Sequence, residues 1–321
     1  MSSTIDSLLK SPARRAIPAA ASESRWALPD GHLLRRIDWS AGERGSILFM
    51  PGRGDAYEKW LETLDGWNQE GWRVTAADWR GQAGSGRLGS DATTGHVSDF
   101  AVWVRDYAAL YADWAAVTPG PHVAVAHSMG GQIVLRAVAE GLVRPDALVL
   151  SAPMLGIHPQ WIPSKLLQQV ARGIVRLGDP RRPAWKAGEK PGAPKRARSL
   201  LLTHDEGRYD DEEWWRARRP AIAMGPASWG WIERALASMA GLERPGVLEA
   251  VTVPTLLLGT RIDGLVSWSA IRRAAGRLPQ GELVGFGPEC RHEILREVDS
   301  VRSRALDAIR DFLDRRAPVR G

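Results

Sequence analysis

A single cysteine, Cys290, stands in the 321 residues, so no internal disulfide can form. Nothing here points to an oxidising compartment, and the cytoplasm is the expected location. Residues 1–26, MSSTIDSLLKSPARRAIPAAASESRW, hold no apolar core of signal-peptide length. A membrane-spanning run is also missing. The longest uncharged stretches, 114–135 and 147–164, are broken by Pro, His, Ser and Gly or Gln, whereas a spanning helix needs about 20 predominantly apolar residues. No internal repeat is visible.

What is present is the balance of a globular chain: 44% hydrophobic and 25% charged residues. The net charge of +6 is local. Segment 171–198 carries nine Lys or Arg against Asp179 and Glu189, a net of +7, so the remainder sums to about zero. A general nucleic-acid-binding face is therefore not expected.

Short apolar runs alternate with helical patterns. Ser46–Met50, Trp72–Ala77, His122–Ala126, Ala147–Leu150, Pro254–Leu258 and Glu282–Phe286 are apolar on both faces, as buried parallel strands are. Leu33–Trp39 is read as an antiparallel strand before them. Between the runs, Phe100, Trp103, Val104, Tyr107, Leu110, Tyr111, Trp114 and Val117 recur at helical spacing, with Ser98 or Asp99 placed to cap the start. Val298, Val301, Ala305, Ile309 and Phe312 repeat the pattern. The alternation predicts an α/β fold with a doubly wound, mostly parallel sheet. The rhythm fails from 154 to 249, which holds four prolines within 171–198 and six of the fifteen tryptophans. The expected organisation is an N-terminal extension (1–22), a core (23–153 and 250–316), a helical cap insertion (154–249) and a tail (317–321). An insertion leaving a strand's carboxyl end would roof the crevice where ligands of open α/β sheets bind.

The chemistry sits at strand ends. Ala126-His127-Ser128-Met129-Gly130 follows a strand and opens a helix, the setting of a nucleophile elbow with small residues two positions either side of the serine. A serine hydroxyl needs a base to take its proton and an acid to orient that base. His292 follows the run Glu282–Phe286 and Asp263 follows Pro254–Leu258, in the order Ser, Asp, His; Glu282 and Glu289 are alternative acids. Of the other histidines, His127 is expected to point away from the serine across the turn, and His96 to stabilise a loop. Backbone N–H groups of Met129 and Arg53, the latter in Pro51-Gly52-Arg53-Gly54-Asp55, are placed to hold an oxyanion. Trp161, Trp229 and Trp231 are candidate substrate contacts in the insertion. His292-Glu293 opens like a zinc-binding His-Glu-x-x-His, but residue 296 is Arg; Gly81–Gly86 has the wrong spacing for a dinucleotide loop. No metal and no cofactor are expected.

The chain resembles the lysophospholipase (L2-type) and monoacylglycerol-lipase branch of the α/β-hydrolases, grouped with serine aminopeptidase-like (S33) hydrolases. The resemblance rests on Pro51–Asp55 with Glu58-Lys59-Trp60, Asp78-Trp79-Arg80-Gly81-Gln82, Gly95-His96-Val97, His127–Gly131, Gly225-Pro226 with Trp229-Gly230-Trp231, and Arg291–Glu297, spread over residues 24–313. It implies a Ser128, Asp263, His292 triad, an oxyanion hole from Arg53 and Met129, and an acyl-enzyme route on lysophospholipids or monoacylglycerols. Pro51, Ala126 and Ala83 depart from the family's pattern without removing a catalytic group. The alternatives are an aminopeptidase-like or general small-ester hydrolase, with Asp205, Glu206 and the 210–213 acids to hold an ammonium, and a binding protein that kept the fold. The basic segment 171–198, together with Trp161, Trp185, Trp214, Trp215, Trp229 and Trp231 of the insertion, suggests peripheral contact with anionic membrane, at the inner face.

Overall fold

The computed structural model describes residues 13–157, 164–185 and 195–319. Among them, eight strands form one sheet in the order β1-β2-β4-β3-β5-β6-β7-β8: Ala21–Ala27, Leu33–Trp39, Ser46–Met50, Arg73–Ala77, His122–His127, Ala147–Ser151, Thr255–Thr260 and Gly281–Phe286 for β1 to β8. β1 pairs antiparallel with β2, and β2 with β4; every later pairing is parallel. The central strands SILFM, ALVLS and TLLLGT are buried at every residue. Helices cover both faces: α1 (Leu61–Gln69), α2 (Phe100–Val117), α3 (Met129–Ala139), α8 (Trp268–Arg277) and α9 (Asp299–Arg316). The expected cap of α2 is Asp99, whose carboxylate accepts the Ala101 N–H at 2.8 Å.

β1 lies partly within the expected N-terminal extension. Its sequence, ASESRWA, is polar and its residues are exposed or half-buried, so no apolar alternation marks it. Pairing with β2, from Ala21 opposite Trp39 to Ala27 opposite Leu33, makes it an edge strand.

Among the described residues, four α-helices stand between β6 and β7: α4 (Ser164–Arg176), α5 (Lys195–Leu202), α6 (Glu206–Arg218) and α7 (Trp229–Leu242). α7 anchors them to the core. Trp231 packs on Phe100 of α2 at 5.7 Å between ring centroids, and Ser238 Oγ accepts from Gln132 Nε2 of α3 at 2.7 Å. The loops leaving the carboxyl ends of β3, β5, β7 and β8 converge beneath this roof, at the crevice where open α/β sheets bind ligands.

Candidate active site

Ser128 occupies a backbone conformation that L-residues rarely adopt, φ 51° and ψ −117°. Such strain costs roughly 1–3 kcal/mol and persists only where the surroundings enforce it. Here they do. The Ser128 N–H donates to Ser151 O at 3.0 Å, and Ser128 O accepts from Met154 N at 2.9 Å. Two residues on, a Cβ at Gly130 would lie 2.4 Å from Pro51 O, so only glycine lets α3 pass so close to the loop after β3. Ala126, fully buried in β5, fits where the sequence departs from glycine.

His292 lies within reach of both partners. Its Nδ1 is 2.8 Å from Asp263 Oδ2, and its Nε2 is 3.0 Å from Ser128 Oγ. A carboxylate can only accept, so Nδ1 carries the proton and Nε2 of the neutral ring accepts from the serine hydroxyl. Asp263 is held in turn by the N–H groups of Leu265 (2.8 Å) and Val266 (3.0 Å) on Oδ1. Burial raises the Asp263 pKa, but His292 and these donors outweigh it and keep the carboxyl below its usual range. Burial likewise opposes charging His292, and the Asp263 carboxylate overcomes that, so the imidazole stays above its ordinary value. The alternative acids are elsewhere: Glu282 pairs with Arg315 and Arg316, and Glu289 with Arg304, all at the surface.

A cavity of about 450 Å³ opens on Ser128 and His292. Its lining is mixed: Met154, Ile157, Leu201, Leu202, Leu265 and Val266 are apolar, and Asp55, Lys59, Arg198 and Glu293 are charged. The Arg53 side chain reaches Gly225 O at 2.6 Å and stands 5.3 Å from the Trp231 ring and 5.7 Å from that of Trp185. Trp231 lines the cavity, and so does Trp185, which sequence reading did not single out for this role. Trp229 opens α7 half-buried and outside the lining, and Trp161 lies outside the described residues. The Arg53 loop is braced by Gly52 N–H on Asp55 Oδ2 (3.1 Å) and Gly54 N–H on Gln82 Oε1 (2.7 Å). A Cβ at Gly52 would stand 3.2 Å from Ser128 Cβ, so this loop passes directly beside the serine. Met129 begins α3, and the first N–H groups of a helix have no partner within it.

His127 corrects an expectation. Its ring does not turn away but packs between Trp60 (4.8 Å) and His292 (4.9 Å), in the cavity wall. Burial, with the nearby cations, keeps it neutral and holds its pKa well below the imidazole range. His96 does brace a loop, through Ser228 Oγ at 2.7 Å.

The feature sequence reading missed is a buried ion cluster. Lys59 Nζ meets Glu293 at 2.5 Å, Glu212 at 3.0 Å and Asp55 at 3.1 Å. Glu212, on α6, also takes Arg216 (2.6 Å) and Arg198 (2.8 Å), and Arg296 sits against Glu293. Burial alone would discharge Lys59, but the three carboxylates hold its ammonium above the usual lysine range. The cluster joins the cap to the residue beside His292. The backbone repeats that tie, since Glu293 N–H donates to Leu202 O at 2.8 Å. The only signal in the sequence was the four-residue spacing of Asp55 and Lys59, and Glu212 lies far along the chain. Among the described residues, no group of three or more His, Cys, Asp or Glu is placed to hold a metal ion.

The comparisons with known proteins agree with this architecture. The family model of the serine aminopeptidases, S33, matches residues 41–299. Lysophospholipase L2 of Escherichia coli (strain K12) is 32% identical over 283 residues, covering 84% of this chain and 80% of that one. A probable lysophospholipase L2 of Haemophilus influenzae is 25% identical, covering 84% of each. Among solved structures, a monoglyceride lipase of Saccharomyces cerevisiae superposes with a TM-score of 0.73 at 18% identity over 93% of this chain and 97% of that one. A monoacylglycerol lipase of Paleococcus ferrophilus gives 0.67 at 18%, over 88% and 98%; at these identities the likeness is one of fold. The chain is a hydrolase that belongs to the serine aminopeptidase (S33) family of α/β-hydrolases.

Proposed function

We propose that the protein hydrolyses carboxylic esters of single-chain glycerolipids, lysophospholipids or monoacylglycerols, through an acyl-enzyme on Ser128. The observation that carries this reading is a hydrogen-bonded Ser128–His292–Asp263 chain whose Ser128 and His292 line a cavity of mixed apolar and charged surface. That mixed lining suits an amphiphile, its acyl chain along Met154, Leu265 and Val266. The 32% identity with a lysophospholipase L2 supports the same class. In the reaction, His292 Nε2 takes the Ser128 proton as Oγ attacks the ester carbonyl. The N–H groups of Arg53 and Met129 receive the negative oxygen of the tetrahedral intermediate. His292 returns the proton to the departing alcohol, and water then releases the acyl group by the same steps.

An aminopeptidase reading finds less support. The carboxylates of the cavity wall, Asp55 and Glu293, both face Lys59, so their charge is already matched. Of the 210–213 acids, Asp211 is engaged with Arg14 and Arg15, Glu212 within the cluster and Glu213 with Arg216. Turnover of lysophosphatidylcholine, monoacylglycerols, p-nitrophenyl butyrate and aminoacyl p-nitroanilides by one preparation tests the choice. The lipids should lead, and a preference for the anilides would overturn the reading.

Because the base must be neutral, kcat/KM should rise with pH as His292 loses its proton. The ring is raised by Asp263 and Glu293 and lowered by burial and Lys59, with a net upward direction, so the midpoint should lie above the ordinary ~6.5. Asp263→Asn removes the main raising group; the midpoint should fall and turnover drop about 10⁴-fold. The measurement is the pH profile of a slow soluble ester, and a rate flat between about pH 5 and 9 would remove His292 as base.

We also place the cap against a lipid surface at the cytoplasmic membrane face. No helix among the described residues is long and apolar enough to cross a membrane, so the contact would be peripheral. Of the cap tryptophans, Trp215 and Trp231 are buried, while Trp185 is exposed. The support comes instead from α4. Leu166 and Val170 are exposed one helical turn apart, exposed Leu177 follows the helix end, and Lys165 and Arg176 are exposed on the same helix. Each engaged basic residue contributes about 1 kcal/mol at an anionic surface. The protein should sediment with phosphatidylserine vesicles at low salt and leave them near 1 M, where the Debye length is about 3 Å. Leu166→Ser with Val170→Ser and Leu177→Ser should abolish sedimentation and spare turnover of p-nitrophenyl butyrate. Wild type left in the supernatant at low salt would remove the membrane contact alone.

A further inference from the structure

A second cavity, of about 580 Å³, lies between α4, α7 and α8 and borders the first at Ile157. Its lining mixes apolar Leu155, Leu236, Met239 and Ala240 with charged Lys165, Glu243, Arg244 and Arg273. The two cavities meet at Ile157, which lines both. Ile157 bridges Val266 in antiparallel fashion, and Ser267 N–H donates to Gly156 O at 2.9 Å. Met154, Leu265 and Val266 line the catalytic cavity, and Leu155 and Ser267 the second. A Cβ at Gly156 would lie 3.0 Å from Ser267 Cβ and 3.1 Å from Ala270 Cβ, so the boundary has no room to thicken there. Among the described residues, Ile157 is the one side chain that borders both spaces.

We propose that Ile157 is a specificity-determining partition: it stops the acyl chain at the end of the catalytic cavity and so sets the longest chain from which the enzyme gains binding energy. The proposal rests on the ester-lipid reading above. A chain that reaches Ile157 has further methylenes with no apolar surface to meet, although such a surface, from Leu155 to Met239, lies directly behind. Each methylene that leaves water is worth about fourfold in kcat/KM. In wild type, kcat/KM along a series of p-nitrophenyl esters from butyryl to stearoyl should therefore climb and then level off.

Ile157→Ala should move that levelling point to longer chains, with about fourfold gained per added methylene. Ala240→Trp, at an exposed position of the second cavity, should leave the wild-type profile unchanged and cancel the gain in the Ile157→Ala protein. The double variant separates entry into the second cavity from mere loosening of the first. Circular dichroism checks that each variant folds. A levelling point that stays put in Ile157→Ala, or one that stays displaced after Ala240→Trp is added, would overturn the partition. The same series of saturated fatty acids, followed by quenching of tryptophan fluorescence, gives a second reading of chain-length dependence. If wild type turned over none of the esters, the proposed activity would fail, and the binding series would still decide the partition by the same two outcomes.

Discussion

Ser128→Ala is expected to lower hydrolysis of a soluble ester by about 10⁴–10⁶-fold, and His292→Ala by about the same. The double variant should be little worse than either single one. Nucleophile and base act as one unit, because removing the proton acceptor leaves the hydroxyl as unreactive as an absent one. Some rate above the uncatalysed reaction should survive in all three, from substrate binding and the N–H groups of Arg53 and Met129, since such contributions leave roughly 10³–10⁴. Steady-state turnover of p-nitrophenyl butyrate measures this, with fluorophosphonate labelling as a count of working sites. A folded Ser128→Ala protein with near-normal turnover, or losses that multiply in the double variant, would overturn the assignment.

The largest expected effect on stability belongs to Lys59→Met. It leaves Asp55, Glu212 and Glu293 facing one another with their shared cation gone. Removing one partner from a buried ionic group costs roughly 3–5 kcal/mol, because the remaining charges are stranded in a poor solvent for them. Glu212→Gln in the same chain should recover part of the loss, by about 0.5–3 kcal/mol of coupling. The pH dependence has a definite sign. Despite burial, the cations hold Glu212 and Glu293 below the ordinary carboxylate pKa. Their stabilisation is complete above about pH 4.3 and fades as pH falls through the depressed values. The gap between wild type and Lys59→Met should thus be widest near neutrality and narrow in acid. Urea unfolding at several pH values gives the answer, and a gap below about 1 kcal/mol at pH 7 would show that the cluster carries no net stabilisation.

These two predictions draw on features of very different legibility. Ser128, Asp263 and His292 could be found in the sequence because each follows an apolar strand and the turn after it is local. The strands themselves were visible wherever both faces are buried, as in β3, β6 and β7, and β1 was not, since its polar edge carries no period. Lys59 and Glu212 read as ordinary solvated charges. Their burial is decided by what folds against them from more than a hundred residues away, and no local pattern records that. His127 shows the same limit at short range. Its position beside the serine was plain, but the direction of its ring depends on Trp60 and His292, which only the tertiary structure brings to it.

The stitching of the cap to the His292 loop bears on how this enzyme could be remodelled. Leu202 O takes the Glu293 N–H, Arg291 Nη1 reaches Thr203 O at 3.0 Å, and Thr203 Oγ1 donates to Arg296 O at 2.8 Å. The segment 201–204 is thus part of the scaffold that positions His292, although it lies between β6 and β7. A chimera that exchanged the whole roof for that of a relative would carry off half of this scaffold with it. Crossover points placed after Thr203, or grafts that retain 196–204 together with Glu212, keep the base aligned while the rest of the roof is replaced.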